Sequence, residues 1–415
     1  MMGRFSFTAL IITAAALLCN LAAGEMYAQT EVLRPKVSAT AGAPGDSLAV
    51  SLITCEPGPQ IYELYGHTAI RIRHMRTGDD VAFNYGMFNF NAPNFVMRFV
   101  LGETDYMLGV YPYEDFLEEY RLRGSKVIEQ TLNLTTQEKE RLLRALAENA
   151  RPENCTYRYN FLYNNCTSQA RDIIERCIDG AIVYPADNKE ESYRQIIHYY
   201  TAGSPWSEFG QDILLGAAAD RPITQREKMF APLFLEKYAG EAVIQSPDGT
   251  NRPLVSDTRT IMPYNAMEES AGFPVPPTGV FGAMLLITVL LCMIGIRRRK
   301  IFWGWELLLM VIQGAAGCLV TFMFLFSEHP TVSTNWLIVI LNPIPIIYAA
   351  FRVRNIMRRK YDVYAPAAFA VQTLFLAAMP FIPQSFSASI YCFTLSLCLH
   401  SATGAYLQHK SHANT

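Results

Sequence analysis

The chain has no excess of charge of either sign: 35 Lys and Arg stand against 37 Asp and Glu, a formal net charge of −2. The cationic surface that nucleic acids attract is therefore missing, and no nucleic-acid partner is expected. No His, Cys, Asp or Glu spacing has the form of a metal site, no glycine-rich phosphate loop occurs, and no internal repeat is visible. Metals, nucleotides and other cofactors are accordingly not expected. Charged residues make up only 17% of the chain, whereas apolar residues reach 51%, high for a soluble protein. That apolar excess is concentrated rather than spread.

Residues 1–28 have the form of a secretory signal. Arg4 is the positive start, Ala9 to Leu18 the apolar core, and Ala22-Ala23-Gly24 and Met26-Tyr27-Ala28 offer small residues for cleavage. An uncleaved anchor is the rival reading. Residues 29–272 are mixed and polar, as a folded domain would be. Clustered prolines at 273–277 make a short stiff linker. A membrane domain follows over 278–407, with a tail at 408–415. Its five apolar stretches, 278–296, 301–326, 333–351, 363–383 and 386–407, each come close to the roughly 20 residues a helix needs to cross a bilayer. Asn342-Pro343 with Pro345 should break or kink the third, and Pro380 with Pro383 should end the fourth. Broken backbone at membrane depth suggests a cavity able to admit acyl chains.

Two loops are basic: Arg297-Arg298-Arg299-Lys300, and Arg352 through Lys360. The other two, around Ser327-Glu328-His329 and Gln384-Ser385, hold no Lys or Arg. The positive-inside rule puts the basic loops in the cytoplasm, hence the large polar domain outside. The export signal and the loop charges give one topology: a multi-pass protein of the inner (cytoplasmic) membrane with its N-terminal domain in the periplasm.

Four of the nine cysteines, Cys55, Cys155, Cys166 and Cys177, fall in the exported domain. An oxidising compartment permits disulfides; if Cys166 stays free, at most one bridge can form among the rest. Leu64 to Ile72 and Val81 to Phe90 read as a hairpin around Thr77-Gly78-Asp79-Asp80, and Thr135-x-x-Glu138 has the form of a capping box. Tyr157 to Tyr163 reads as a strand. Asn164-Asn165 then cap a helix running to about Ile178, its inner face Cys166, Ala170, Ile173, Ile174 and Cys177.

A cysteine in the first turn of a helix meets unpaired amides and the helix dipole, which favour the thiolate and could receive an oxyanion. His67, one of two histidines in the exported domain ahead of Cys166, could move its proton. A cysteine on the inner face of an amphipathic helix is also commonly plain core, and position alone leaves both readings open. Arg71 and Arg73 could hold a lipid phosphate or form a solvated strand face. Glu328 and His329 could position substrate or simply end a loop. Glu306 and Gln313 are intramembrane polar residues, Glu306 close enough to the cytoplasmic end to reach headgroups.

The runs Gly66-His67-Thr68-Ala69-Ile70-Arg71, Phe83-Asn84-Tyr85-Gly86 and Tyr163-Asn164-Asn165-Cys166-Thr167 resemble the Lnb family, within the circularly permuted papain-like thiol superfamily. The similarity extends to Ser327-Glu328-His329-Pro330 and Asn342-Pro343. It implies an α+β, permuted papain-like (NlpC-like) periplasmic domain followed by five transmembrane helices. It further implies lipoprotein N-acylation, with a phospholipid acyl donor and a lipoprotein acceptor. By the same resemblance Cys166 is the nucleophile and His67 its base. Asn84 is a candidate third group, but a hairpin centred on Gly78-Asp79 would set His67 near Phe90 and leave Asn84 out of reach. A thiol hydrolase of cell-wall peptides or lipids, and a non-catalytic tethered binding module, are the alternatives.

Overall fold

Period-two burial builds the centre of the N-terminal domain, since successive side chains of a strand face opposite sides of a sheet. In the computed structural model, which describes residues 48–58, 63–88, 93–265 and 273–412, the strands are β1 (Leu48–Cys55), β2 (His67–His74), β3 (Asp80–Met87), β4 (Asp105–Pro112), β5 (Val127–Leu132), β6 (Thr156–Arg158), β7 (Ala181–Val183), β8 (Val243–Gln245), β9 (Asn251–Pro253) and β10 (Val255–Met262). The signal segment 1–28 lies outside the described residues. Seven strands form an antiparallel sheet in the order β10-β5-β1-β2-β3-β4-β6, and β7-β8-β9 form a second, small one.

Helices in this domain are α1 (Phe95–Leu101), α2 (Tyr113–Arg123), α3 (Thr136–Asn149), α4 (Cys166–Cys177), α5 (Tyr193–Thr201), α6 (Pro205–Leu214), α7 (Gln225–Lys228) and α8 (Pro232–Glu241). Leu52, Ile70, Ile72 and Phe83 on one sheet face bury against Leu142 and Leu146 of α3, Ala170 and Ile173 of α4, and Leu235 of α8. Ile53, Cys55, Ala69 and Ala82 on the other face bury against Tyr113, Phe116 and Tyr120 of α2. The domain is α+β, as expected. Thr135 and Glu138 make the capping box that starts α3, a device typically worth about 1 kcal/mol. The strand expected over 157–163 shrinks to Thr156–Arg158, because Asn160 and Asn164 bridge each other in a turn.

The β2–β3 hairpin differs from expectation in one respect that matters for function. Its turn is centred ahead of Gly78-Asp79: His74 N–H donates to the Asp79 carbonyl at 2.7 Å, and Gly78 takes the left-handed φ of +79°. The register is Arg73↔Asp80 through Ile70↔Phe83. Carried back along β2, it sets His67 opposite Gly86, not Phe90.

The membrane domain has five helical spans of sufficient length and apolarity, Pro277–Arg298, Trp303–Phe326, Trp336–Met357, Tyr364–Phe381 and Ala388–Lys410. The long helices within them are α9 (Pro277–Arg298), α10 (Trp303–Phe326), α11 (Ile344–Met357), α12 (Tyr364–Ala378) and α13 (Ala388–His412). Span three is broken as predicted: 3-10 turns run to Val339, and α11 starts only after Asn342-Pro343. Pro380 likewise ends α12 in a 3-10 turn, Met379–Phe381. The break at Asn342 is packed against α10. A Cβ on Gly317 would collide with the Asn342 backbone, and Gln313 Nε2 donates to the Ile340 carbonyl at 2.8 Å. Gln313 thus satisfies backbone freed by the break, as the bilayer interior requires.

Glu306 does not reach toward headgroups. It is buried and accepts from Arg352 Nε at 2.5 Å, with His400 Nε2 3.2 Å from its other oxygen. These partners lie 46 and 94 residues away.

Two zones fasten the domains together. Glu328 N–H donates to the Leu101 carbonyl, Ser327 Oγ to Val100, and His329 Nε2 lies 2.6 Å from the Phe99 carbonyl, so the loop after α10 caps the end of α1. At the second zone Asn335 Nδ2 donates to the Ile213 carbonyl at 2.7 Å and Gln384 Nε2 to Leu215 at 3.2 Å, beneath α6. Both loops without basic residues therefore meet the N-terminal domain, on the side the charge distribution predicts.

Candidate active site

Asn165 sets the start of α4. Its side-chain oxygen accepts from the Thr167 and Ser168 amides, at 3.0 and 2.9 Å, and its nitrogen donates to the Phe161 and Phe230 carbonyls, both at 2.9 Å. Four satisfied bonds on a buried carboxamide leave the helix one place to begin. Cys166 is consequently the first helical residue, half-buried at the dipole's positive end. The first-turn amides expected to receive an oxyanion are mostly taken. The Thr167 and Ser168 amides are engaged by Asn165, so they are not free to receive an oxyanion; of the first three amides, that leaves the Cys166 N–H.

His67 opens β2 on the opposite face of the sheet, paired in register with Cys55 and stacked on Tyr120 at 6.2 Å between ring centroids. Gly86 lies beside both the thiol and the imidazole. Pairing of β3 with β4 shifts register between Asn84 and Met87, a β-bulge, and Gly86 adopts φ +95° there. A Cβ on Gly86 would lie 3.4 Å from Cys166 Cβ and 3.7 Å from His67 Cε1. Both are ordinary van der Waals distances, so it is the left-handed φ that calls for glycine here.

Asn84 comes within reach through the shifted register. Its Oδ1 lies 2.5 Å from His67 Nε2, and its Nδ2 donates to the Tyr111 hydroxyl. A carboxamide oxygen only accepts, so Nε2 carries a proton and Nδ1 is the nitrogen left for the thiol. The three predicted residues Cys166, His67 and Asn84 are thus assembled in one place.

The thiol and the imidazole each favour the other's charged form. Burial alone would raise the Cys166 pKa, but the charge and hydrogen bond of His67, with help from the Thr68 amide and Thr167 hydroxyl, bring it down to about 7. Burial alone would lower the His67 pKa, and the Cys166 thiolate and the Asn84 oxygen reverse this, raising it. Thr68 and Thr167 are joined by a 3.1 Å hydrogen bond that ties β2 to α4. Cys55 is a foil: burial pushes its thiol well above the ordinary range. Cys177 is packed in the core, and all eight described cysteines are free, Cys155 included.

Sequence reasoning missed Gly86 and Tyr157. The Tyr157 hydroxyl is buried beside Gly86 without a hydrogen bond of standard geometry, within electrostatic reach of Cys166 and of the Gly86 amide. Gly86 stood in a motif already marked; nothing local singled out Tyr157. Arg71 is no phosphate ligand and no solvated residue: Asp80 and Glu129 engage its guanidinium, which lies over the Tyr113 ring. A cavity of about 320 Å³ lies by Glu175, Tyr184 and Arg226, at the other end of α4 from Cys166.

Comparison with known families gives two matches. Residues 36–201 match the Lnb N-terminal periplasmic domain, and residues 268–412 the Lnb transmembrane domain. No curated protein and no solved structure matches significantly. The protein is a multi-pass membrane protein with its N-terminal domain in the periplasm.

Proposed function

Because the chain belongs to the Lnb family, we propose that it is a membrane-bound thiol acyltransferase, moving an acyl chain from a phospholipid to the α-amine of the lipidated N-terminal cysteine of a lipoprotein. The observation that carries this reading is the Cys166–His67–Asn84 constellation, with its thiol at a helix start. The periplasmic domain around it is seated on the outer loops of a membrane domain. A thiol, an imidazole and an orienting carboxamide form the papain-like arrangement.

The Cys166 thiolate attacks the ester carbonyl of the phospholipid. The ester C–O bond breaks, a C–S bond forms, and the lysophospholipid alcohol leaves with the proton of the His67 imidazolium. We assign the Cys166 amide and the Tyr157 hydroxyl as donors to the oxyanion, each such donor being worth roughly 3 kcal/mol where measured. The lipoprotein amine then attacks the thioester. Neutral His67 takes its proton, the C–S bond breaks, and the thiol is restored. Asn84 keeps Nδ1 on the thiol throughout. The site is part of an inner-membrane enzyme and needs no cofactor for these steps.

The test is transfer by the full chain in vesicles containing phospholipid and a synthetic diacylated lipopeptide, read by mass spectrometry. N-acylated lipopeptide and lysophospholipid should appear together and vanish in Cys166→Ser. Free fatty acid without N-acylated peptide would replace this reading with that of a hydrolase.

A further inference from the structure

α1 has no buried residue, and Val96, Met97 and Phe99 expose nearly half of their surface each. Such a face is anomalous on a domain bathed in water. Its surroundings explain it. Ser327, Glu328 and His329 follow directly on α10, whose last residues Leu325 and Phe326 are about 60% exposed. All three loop residues hydrogen-bond carbonyls of α1, and a Cβ on Gly102 would collide with the His329 and Glu328 backbone. α1 is thus fixed at the level where a transmembrane helix leaves the bilayer. Arg98 is not loose on this face: it holds Asp105 at 2.6 Å and the Glu103 carbonyl at 2.9 Å.

Inward from α1 runs a strip of rings. Phe99 neighbours Phe95 at 6.2 Å, Phe95 neighbours Phe88 at 5.8 Å, Phe88 neighbours Tyr106 at 4.9 Å, and Tyr106 stacks on Tyr159 at 4.0 Å. Tyr106 pairs in register with Tyr157, whose hydroxyl lies beside Gly86, as does Cys166 Cβ. An apolar track therefore joins the membrane-level helix to the thiol.

We propose that α1 is an interfacial helix immersed in the outer leaflet, and that the ring strip behind it admits one acyl chain of a membrane phospholipid to Cys166. The second half rests on the acyltransferase reading; the first does not. The occupant is a lipid chain and not a protein, because the face adjoins the exposed apolar end of α10, which is itself a lipid-facing surface. Short apolar helices held at a headgroup boundary gain by burying one face among the acyl chains.

The test uses the full chain in phosphatidylcholine vesicles. Emission added by Met97→Trp, taken as the difference from the parent, should be quenched by phospholipid brominated on the acyl chain and spared by aqueous iodide. The reverse pattern overturns the placement of α1. In a second arm, Val96→Glu and Met97→Glu, both outside the ring strip, should slow acyl-enzyme formation from vesicle phospholipid by about tenfold or more, from the lost apolar burial. Both should acylate normally from a soluble short-chain p-nitrophenyl ester, with intact mass as the readout. Equal slowing with both donors, or slowing with neither, overturns the track. If the parent forms acyl-enzyme from neither donor, the acyltransferase reading fails and the track with it, while the quenching arm still decides where α1 lies.

Discussion

The side-chain oxygen of Asn84 lies 2.5 Å from Nε2 of His67, on a strand whose register brings Gly86 opposite that histidine. The contact fixes the imidazole tautomer and ring angle, and it stabilises the charged ring that in turn stabilises the Cys166 thiolate.

Replacing Asn84 by Ala should weaken this chain of effects in a readable order. The His67 pKa falls, the thiolate loses its partner, and the Cys166 pKa rises from about 7 toward its ordinary value. Thiol labelling in the parent should climb as pH passes about 7, because a depressed acid is ionised above its folded pKa. In Asn84→Ala the same climb should move to higher pH. An unmoved labelling profile would remove Asn84 from the site.

Cys166→Ser should stop turnover. His67→Ala should slow it by about a thousandfold or more, on the scale seen when one member of such a set is lost. Cys177→Ala should retain the chemistry, since that thiol is packed in the core three turns along the same helix. Steady-state transfer rates decide this; a fully active Cys166→Ser would end both the transferase and hydrolase readings.

Gly86→Ala requires a φ of +95° from an L-residue, so the backbone beside Cys166 and His67 must shift. A displacement of about 1 Å can cost about a hundredfold in rate. Transfer should therefore fall on that scale while circular dichroism of the variant stays native. Wild-type turnover would mean that the pair meets elsewhere.

In the membrane domain, Arg352→Leu should strip Glu306 of its closest partner and leave the buried carboxylate to His400 alone. Breaking a buried pair this way costs about 3–5 kcal/mol. The thermal midpoint in detergent should drop sharply, and Glu306→Gln added to Arg352→Leu should recover part of it. No recovery would show that the arginine acts through packing alone.

A chimera that joins the periplasmic domain to a single foreign span should label at Cys166 and fail to transfer. The spans carry the loops that hold α1 and α6, through Ser327 to His329, Asn335 and Gln384. Wild-type transfer by the chimera would reduce the five spans to a tether.

Local signals were legible in the sequence. Asn165-Cys166-Thr167 announced a capped helix with a thiol at its first position, and Asn342-Pro343 announced a broken span, because capping and proline effects act within a few residues. Register was not legible: Thr77-Gly78-Asp79-Asp80 fits several turns, and moving the turn shifts every partner of His67. Tyr157 and the Glu306–Arg352–His400 cluster were hidden for a different reason. Their partners are set by packing between elements far apart in the chain, which no local pattern encodes.

The docking of the two domains is written mostly in main-chain atoms on the periplasmic side. The carbonyls of Phe99, Val100, Leu101, Ile213 and Leu215 accept, and the Ala218 amide donates, to groups of the outer loops. Such a joint is indifferent to which side chains stand at those positions. The surface facing the lipid can then drift in composition, following the bilayer of its host, without unfastening the catalytic domain from its mount.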